Sequence, residues 1–352
     1  MKTEEREGGD PVICVLSQSS LEDTTDMVTD WLREWGAPYI RINGGDMDGP
    51  GGPSFTVAKT GAKAQITIDG QPIDPESIKV VWYRRWDYNN HYRTMGLFAD
   101  PAHSTSDNVY TAYSHLAGEL RAASRFLFMM MESAEWLSRP STTAPNKLRV
   151  LKLAADAGLD IPDTLLTSDR EQVRDFIRKH GDAVVKPAGD TFTFTFGEQE
   201  SYAVYTSVVS EGTLDNATWG GSFPSLFQEK LKKKYEIRSF YLDGEFFSMA
   251  MFTQQKSSTQ VDFRKYSWRD PARTVPYSLP SEIEESLRVL MDSLSLETGS
   301  IDMVRTVDGR YVFLEVNPVG QFGMVSQPCN YHLERRVAAA LVQRLNGTRK
   351  TP

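Results

Sequence analysis

Ser300-Ile301-Asp302-Met303-Val304-Arg305-Thr306-Val307-Asp308-Gly309-Arg310-Tyr311-Val312-Phe313-Leu314-Glu315-Val316-Asn317-Pro318 decides how this chain is read. Its two ends are rich in β-branched and aromatic residues, and Asp308-Gly309 is a turn signal. The stretch therefore predicts two strands joined in a hairpin. A hairpin brings Asp302 beside the strand of Glu315 and Asn317, which lie two apart and share a face. Three hard oxygen donors on one sheet face suit Mg²⁺, which takes a few carboxylates and completes its shell with water and phosphate oxygens. Taken alone, the hairpin reads as a strand pair carrying solvated polar residues. The rest of the chain decides between the two, because it carries the partners such a site needs.

The 352 residues exceed one comfortable core, so two or three subdomains are expected. A net charge of −8 argues against nucleic acid as a partner, since phosphate binding needs a basic face. The local run Lys232-Lys233-Lys234 reads as a solvated turn. Cys14 and Cys329 form no metal-ligand spacing and fit a reducing cytoplasm. Residues Met1 to Pro11 are acidic and polar, without the apolar core of a signal peptide. No run has the length of a membrane span; Phe126 to Met131 is too short. The expectation is a soluble cytoplasmic protein.

Along the chain, Val12-Ile13-Cys14-Val15-Leu16, a helix through Met27, Trp31, Leu32 and Trp35, and Tyr39-Ile40-Arg41-Ile42 predict a βαβ unit with a parallel sheet. Asp69-Gly70 predicts a hairpin between Gln65-Ile68 and Gln71-Ile73, and Val80-Val81-Trp82-Tyr83 a further strand before Arg84-Arg85. Asp107 to Leu137 carries apolar residues at steps of three and four, which predicts one long amphipathic helix. Pro140 and Pro145 mark a boundary. Asn146 then opens a helix closed by Gly158, Thr164-Leu165-Leu166-Thr167 is a strand, and Ser168-Asp169-Arg170-Glu171 has the capping-box pattern before another helix. The strand Ala183-Val184-Val185-Lys186 ends at Pro187. Thr191 to Phe196 and Tyr202 to Val209 read as a hairpin.

Lys186, at the end of an apolar strand and before Pro187-Ala188-Gly189-Asp190, suits a phosphate contact beside a flap. Lys147, in the first turn of its helix, is a second candidate, and singly each reads as a solvated charge. Phe227-Gln228-Glu229-Lys230-Leu231, followed by Glu236-Ile237-Arg238 on a new strand, offers a hinge for an adenine and a carboxylate for a ribose. Arg238 would then sit near a terminal phosphate. Asp262-Phe263-Arg264-Lys265-Tyr266 adds one more arginine among polar residues.

The order Lys147, Lys186, Gln228-Glu229, Glu236-Ile237-Arg238, Asp262-Phe263-Arg264, Asp302 and Glu315-Val316-Asn317 resembles the ATP-grasp ligases from about Asn146 to about Leu345. Trp82-Tyr83-Arg84-Arg85, Trp136-Leu137, Asn146-Lys147-Leu148, Glu315-Val316-Asn317-Pro318-Val319-Gly320-Gln321-Phe322 and Cys329-Asn330-Tyr331-His332-Leu333-Glu334 look most like the maturases of ribosomally made peptides, the microviridin-type or graspetide macrocyclases. The resemblance implies an α/β ATP-grasp fold with α+β subdomains. These are an N-terminal βαβ domain over 1–140, a central lid with a phosphate flap over 141–227, and a C-terminal ATP- and Mg-binding domain over 228–347.

It also implies ATP and Mg²⁺ as cofactors and a precursor peptide, with leader and core, as the partner. The hairpin after Lys186 would dock the leader, and the enzyme would be a homodimer. Lys147, Lys186, Gln228, Glu229, Lys230, Leu231 and Glu236 would bind nucleotide. Asp302, Glu315 and Asn317 would hold the metal. Arg238 and Arg264 would act on the reacting groups, Arg264 by holding the acceptor carboxylate or its phosphate. The implied chemistry is phosphorylation of an Asp or Glu side chain and ring closure by a Ser, Thr or Lys side chain, with ester and amide both open. Two other readings remain at this level: a ligase adding a free amino acid to a small carboxylate or protein tail, and a non-catalytic ATP-binding regulator.

Overall fold

The computed structural model describes residues 11–47, 52–68, 71–86, 107–189, 193–196, 200–203, 206–216, 223–253 and 272–348. The chain divides into two compact units. The first comprises Met1–Ser141, Gln321–Gly323 and His332–Pro352, and the second Thr142–Gly320 and Met324–Tyr331.

The first unit is built on strands β1 (Val12–Ser17), β2 (Tyr39–Asn43), β6 (Ile78–Tyr83) and β7 (Glu135–Leu137), in the order β2-β1-β6-β7 and all parallel. Ile13 to Leu16 and Val80 to Trp82 are buried, as expected of central strands covered on both faces. Helix α1 (Asp23–Glu34) makes the expected crossover, and Gly36 at φ 63° ends it. Between β2 and β6 lies a small antiparallel sheet of β3 (Ser54–Ala58), β4 (Gly61–Ile68) and β5 (Gln71–Ile73). The C-terminal helix α7 (Leu333–Leu345) returns to this unit and packs on α1, β1 and β6.

The long apolar pattern resolves differently from its reading. Helix α2 spans Asp107–Met130, and residues 135–137 form β7. The steps of three and four continue because Ala134, in the turn after α2, and Leu137, in β7, are both buried and happen to fall at helical spacing. Phe128 on α2 packs edge-on to Tyr83, Trp86 and Trp136, and the Trp86 indole N–H donates to the Ser124 hydroxyl at 3.0 Å.

Arg84 is buried between Trp82 and Phe322, with its guanidinium over both rings. Its counter-ion is the buried Glu22, which also takes Arg85 at 3.1 Å and the Thr25 hydroxyl at 2.6 Å. Burial pulls the Arg84 guanidinium down to about 10, opposed by the Glu22 carboxylate. Gln321 completes the cluster, donating to Glu22 and accepting from Thr24.

Among its described residues, the second unit holds two larger antiparallel sheets and one two-stranded sheet. One has the order β12-β9-β13-β8, from β8 (Thr164–Thr167), β9 (Ala183–Lys186), β12 (Ser207–Val209) and β13 (Ser225–Glu229). Its core of Val173, Ile177, Ala183, Leu214 and Phe227 lies under α4 (Arg170–His180) and α5 (Glu211–Asn216). Asp169, not Ser168, caps α4, accepting the backbone N–H of Glu171 at 2.8 Å and of Gln172 at 3.3 Å. Strands β10 (Thr193–Phe196) and β11 (Glu200–Ala203) pair as a hairpin. Residues 207–209, read from sequence as part of that hairpin, pair with β9 instead.

The other larger sheet has the order β16-β15-β14-β17-β18, from β14 (Lys233–Leu242), β15 (Glu245–Phe252), β16 (Arg273–Tyr277), β17 (Thr298–Thr306) and β18 (Tyr311–Asn317). One face packs on α3 (Lys147–Asp156) and α6 (Ser281–Ser293) through Ile237, Tyr241, Ile301, Met303, Phe313 and Val316, against Val150, Leu151, Leu287, Leu290 and Met291. The alternate residues of the same strands form the opposite face.

Candidate functional site

The hairpin of β17 and β18 turns at Gly309, where φ is 93°, so the expected turn is observed. Asp302 lies directly opposite Glu315, and Ser300 opposite Asn317. On the other side of β17, Arg238 lies opposite Asp302. Arg238, Asp302 and Glu315 thus form one row across three strands, on the face away from the helices. A bulge between Asp302 and Met303 makes this compatible with the core: it brings Phe313 opposite Met303 on the buried face while Glu315 stays opposite Asp302.

Arg238 binds both oxygens of Asp302 through one nitrogen, at 3.1 and 3.2 Å. The two side chains are only 9% and 13% exposed, so the pair sits largely out of water. Asn317 is held by its own turn: its Oδ1 accepts the Val319 N–H at 3.2 Å, and its carbonyl accepts the Gly320 N–H at 3.1 Å.

Glu236, two residues before Arg238, is buried on the same face. Its Oε1 accepts from the Lys233 ammonium at 3.0 Å and from the Thr253 hydroxyl at 3.1 Å. Sequence reading placed Lys233 in a solvated turn. The structure instead puts it at the start of β14 with a mostly buried side chain. A bulge between Lys233 and Tyr235 removes one residue from the alternation, which lets residues three apart meet on a strand. Nothing in the local sequence marks that bulge, and Thr253 carried no signal either.

In the smaller sheet, Lys186 lies opposite Leu226 and Gln228 opposite Val184, so Lys186 and Gln228 share the face turned away from α4 and α5. Gln228 is buried and gives its amide N–H to the Thr164 hydroxyl at 2.9 Å. Glu229 accepts the Asp163 N–H through its carboxylate at 3.3 Å, and its own N–H donates to the Asp163 carbonyl. Lys230 pairs with Asp182 at 3.0 Å, and half-buried Leu231 leads into β14. Helix α3 opens as expected at Asn146, whose side chain accepts the Arg149 N–H. Lys147, in its first turn, donates to the carbonyls of Pro187 and Gly189 at 3.0 and 2.8 Å. It therefore ties the start of α3 to the loop that follows Lys186. Arg264, with the rest of residues 262–266, lies outside the described residues.

The donor set of Asp302, Glu315 and Asn317 is two carboxylates and one amide, all oxygen. That fits a hard cation that keeps part of its shell for water and phosphate, and suits Mg²⁺ better than a thiol- or imidazole-seeking metal. Among the described residues, no group of three or more His, Cys, Asp or Glu could form a denser metal cluster.

No protein-family model matches the sequence, and no curated protein matches it. Solved structures do. A RiPP-associated ATP-grasp ligase of Chryseobacterium gregarium, in complex with ADP and a leader and core peptide, is 26% identical. It superposes with a TM-score of 0.79 over 97% of this chain and 98% of its own. The fold is an ATP-grasp ligase fold. Two macrocyclases of Microcystis aeruginosa MRC extend the likeness: MdnC, bound with precursor peptide MdnA, at a TM-score of 0.76, and MdnB at 0.71. Each is 26% identical over 94% of this chain and 99% of the relative. The likeness to ATP-grasp ligases of peptide maturation therefore runs through both units, and the strand row and lysines described above lie in that ATP-grasp frame. Among the described residues, no helix is long and apolar enough to cross a membrane.

Proposed function

We propose that this chain is an ATP-dependent macrocyclase of a ribosomally made precursor peptide, acting through an acylphosphate. The observation that carries the reading is the row Arg238, Asp302, Glu315 on one sheet face, within a chain similar over nearly its whole length to ligases solved with ADP or precursor peptide. In the reaction, an Asp or Glu side-chain oxygen of the core peptide attacks the γ-phosphorus of ATP. ADP leaves, and the peptide carries an acylphosphate. A Ser or Thr hydroxyl, or a Lys amine, of the same peptide then attacks the carbonyl carbon. The carbon–oxygen bond to phosphate breaks, and the nucleophile gives up its proton as the ester or amide ring closes.

The chain's residues divide that work. The strand end at Gln228, Glu229, Lys230 and Leu231 forms the adenine hinge, and Glu236 binds the ribose while Lys233 holds its carboxylate. Lys186 contacts phosphate oxygens from the end of a rigid strand. Lys147 holds the base of the flap through two of its three donors and would offer the third to a phosphate oxygen. Asp302, Glu315 and Asn317 would hold Mg²⁺, which supplies charge neutralisation at phosphate oxygens during phosphoryl transfer. Arg238 orients Asp302 and adds positive charge beside the transferring group. Arg264 holds the acceptor carboxylate, as a guanidinium fork matches its oxygens.

The division into an N-terminal domain over 1–140, a lid over 141–227 and an ATP-binding domain over 228–347 is the functional organisation that goes with these roles. The β10–β11 hairpin docks the leader. The enzyme works as a cytoplasmic homodimer.

The test is mass spectrometry of a cognate precursor after incubation with enzyme and MgATP. Each ring removes one water, so the product should be lighter by multiples of about 18 Da, and hydroxylamine should trap hydroxamates on core Asp or Glu residues. A product heavier by one amino-acid residue would replace the macrocyclase reading with a tailing ligase. ATP binding without any peptide change would make the chain a non-catalytic binder.

A further inference from the structure

Ser300 has no part in the site as described so far, yet its surroundings are unusual. It lies directly opposite Asn317 in antiparallel register, two residues before Asp302 and on the same face. It is buried, and among the described residues its hydroxyl has no hydrogen-bond partner. A buried hydroxyl left without a partner is costly, and an alanine there would avoid the cost. The turn after β18 closes tightly on it. A Cβ placed on Gly320 would lie 2.7 Å from the Ser300 Cβ, 2.8 Å from its Oγ and 3.2 Å from the Asn317 carbonyl oxygen. Only glycine lets the turn sit at this height. Gly299 is confined in the same way, with its Cβ position 3.2 Å from the Val316 Cγ2 and 3.5 Å from the Asn317 carbonyl oxygen. The turn at Gly320 is therefore pressed onto Ser300, and the Val316 side chain and Asn317 carbonyl lie against Gly299.

We infer that Ser300 is a positioning residue of the cation site. With the cation bound, its hydroxyl, unpartnered here, accepts a hydrogen bond from the Asn317 amide nitrogen and so turns the amide oxygen toward the cation, while Gly320 allows the turn to close over the pair. Directly opposed residues hold their Cβ atoms about 5 Å apart, within reach of a Ser–Asn hydrogen bond. The Asn317 oxygen has two lone pairs, so it can keep the Val319 N–H and still ligate. The flip-prone amide is the one donor of the set whose two ends differ, and it needs a partner to fix which end faces the metal. The inference rests on the reading of Asp302, Glu315 and Asn317 as Mg²⁺ ligands.

Calorimetry on the full-length enzyme tests it, measuring Mg²⁺ affinity at saturating ADP and ADP affinity in a chelator. Ser300→Ala should weaken Mg²⁺ about tenfold, the usual effect of losing a partner that orients a ligand, and leave chelator-measured ADP affinity unchanged. In an Asn317→Ala background, Ser300→Ala should cost nothing further, because Ser300 acts through Asn317. Gly320→Ala should weaken Mg²⁺ at least as much, and adding Ser300→Gly should return it to the level of Ser300→Ala by removing both close atoms. Glu315→Gln serves as the reference. If Glu315→Gln weakens Mg²⁺ but Ser300→Ala does not, or if Ser300→Ala and Asn317→Ala add, the inference is overturned and the metal reading stands. If Glu315→Gln leaves Mg²⁺ affinity intact, the metal reading fails first.

Discussion

Replacing Arg238 by methionine removes the cation of a nearly buried ion pair and leaves its volume filled. Asp302 then faces Glu315 across β17 and β18 with no compensating charge from β14. At about 5 Å and an effective dielectric near 20, two carboxylates repel by roughly 3 kcal/mol, a cost that Arg238 offsets in the native protein. Removing one partner of a buried pair typically costs about 3–5 kcal/mol, which agrees with that figure. For a unit of this size each kcal/mol moves the midpoint by about 2–4 °C, so Arg238→Met should melt roughly 6–20 °C below wild type. Replacing both partners, as Arg238→Met with Asp302→Leu, leaves one carboxylate on the row and should recover most of the loss. The assay is thermal unfolding by circular dichroism, with amide exchange on β14 and β17 to locate the loosening. Mg²⁺ should raise the melting temperature of Arg238→Met more than that of wild type, since it takes over the missing positive charge. A loss under about 1 kcal/mol, or single-variant losses that simply add, would refute the argument that the row is held by this pair.

Lys233→Met should leave the buried Glu236 carboxylate with Thr253 alone and cost about 1.5–3 kcal/mol, read by thermal melting, with weaker ADP binding by calorimetry. Lys147→Met should free the loop after Lys186, seen as faster amide exchange at Lys186, Ala188 and Gly189 with little change in the melting temperature. Asp169→Ala should lower stability by about 1 kcal/mol through loss of the α4 cap, and Asp169→Asn should restore most of it.

The parts of this fold that could be read in advance were those where local chemistry and global structure agree. The opening βαβ unit, the Asp308-Gly309 hairpin and the Asn146 cap rest on alternation, a turn dipeptide and a capping side chain, all local signals. The hairpin alone brought Asp302 beside the strand of Glu315 and Asn317, while the register that sets it opposite Glu315 depends on a bulge. What stayed hidden depended on strand irregularities. The bulge before Tyr235 turns Lys233 from a solvated charge into the partner of Glu236, and the bulge at Asp302 keeps Phe313 in the core while Glu315 faces the site. The stripe running past Met130 misled because buried Ala134 and Leu137, in a turn and a three-residue strand, fall by chance at helical spacing. The partners of Lys147 were not legible: the Pro187 and Gly189 carbonyls lie 40 and 42 residues away in sequence and are brought there by tertiary packing.

The most direct test of carboxylate activation follows an oxygen atom. A cognate precursor whose core Asp and Glu side chains carry ¹⁸O is incubated with enzyme and MgATP, and the released phosphate is analysed by mass spectrometry. Attack of the labelled carboxylate on ATP leaves one of its oxygens on phosphorus, so each ring should yield one phosphate carrying one ¹⁸O. Rings that form while the phosphate stays unlabelled would contradict activation by phosphoryl transfer to the peptide.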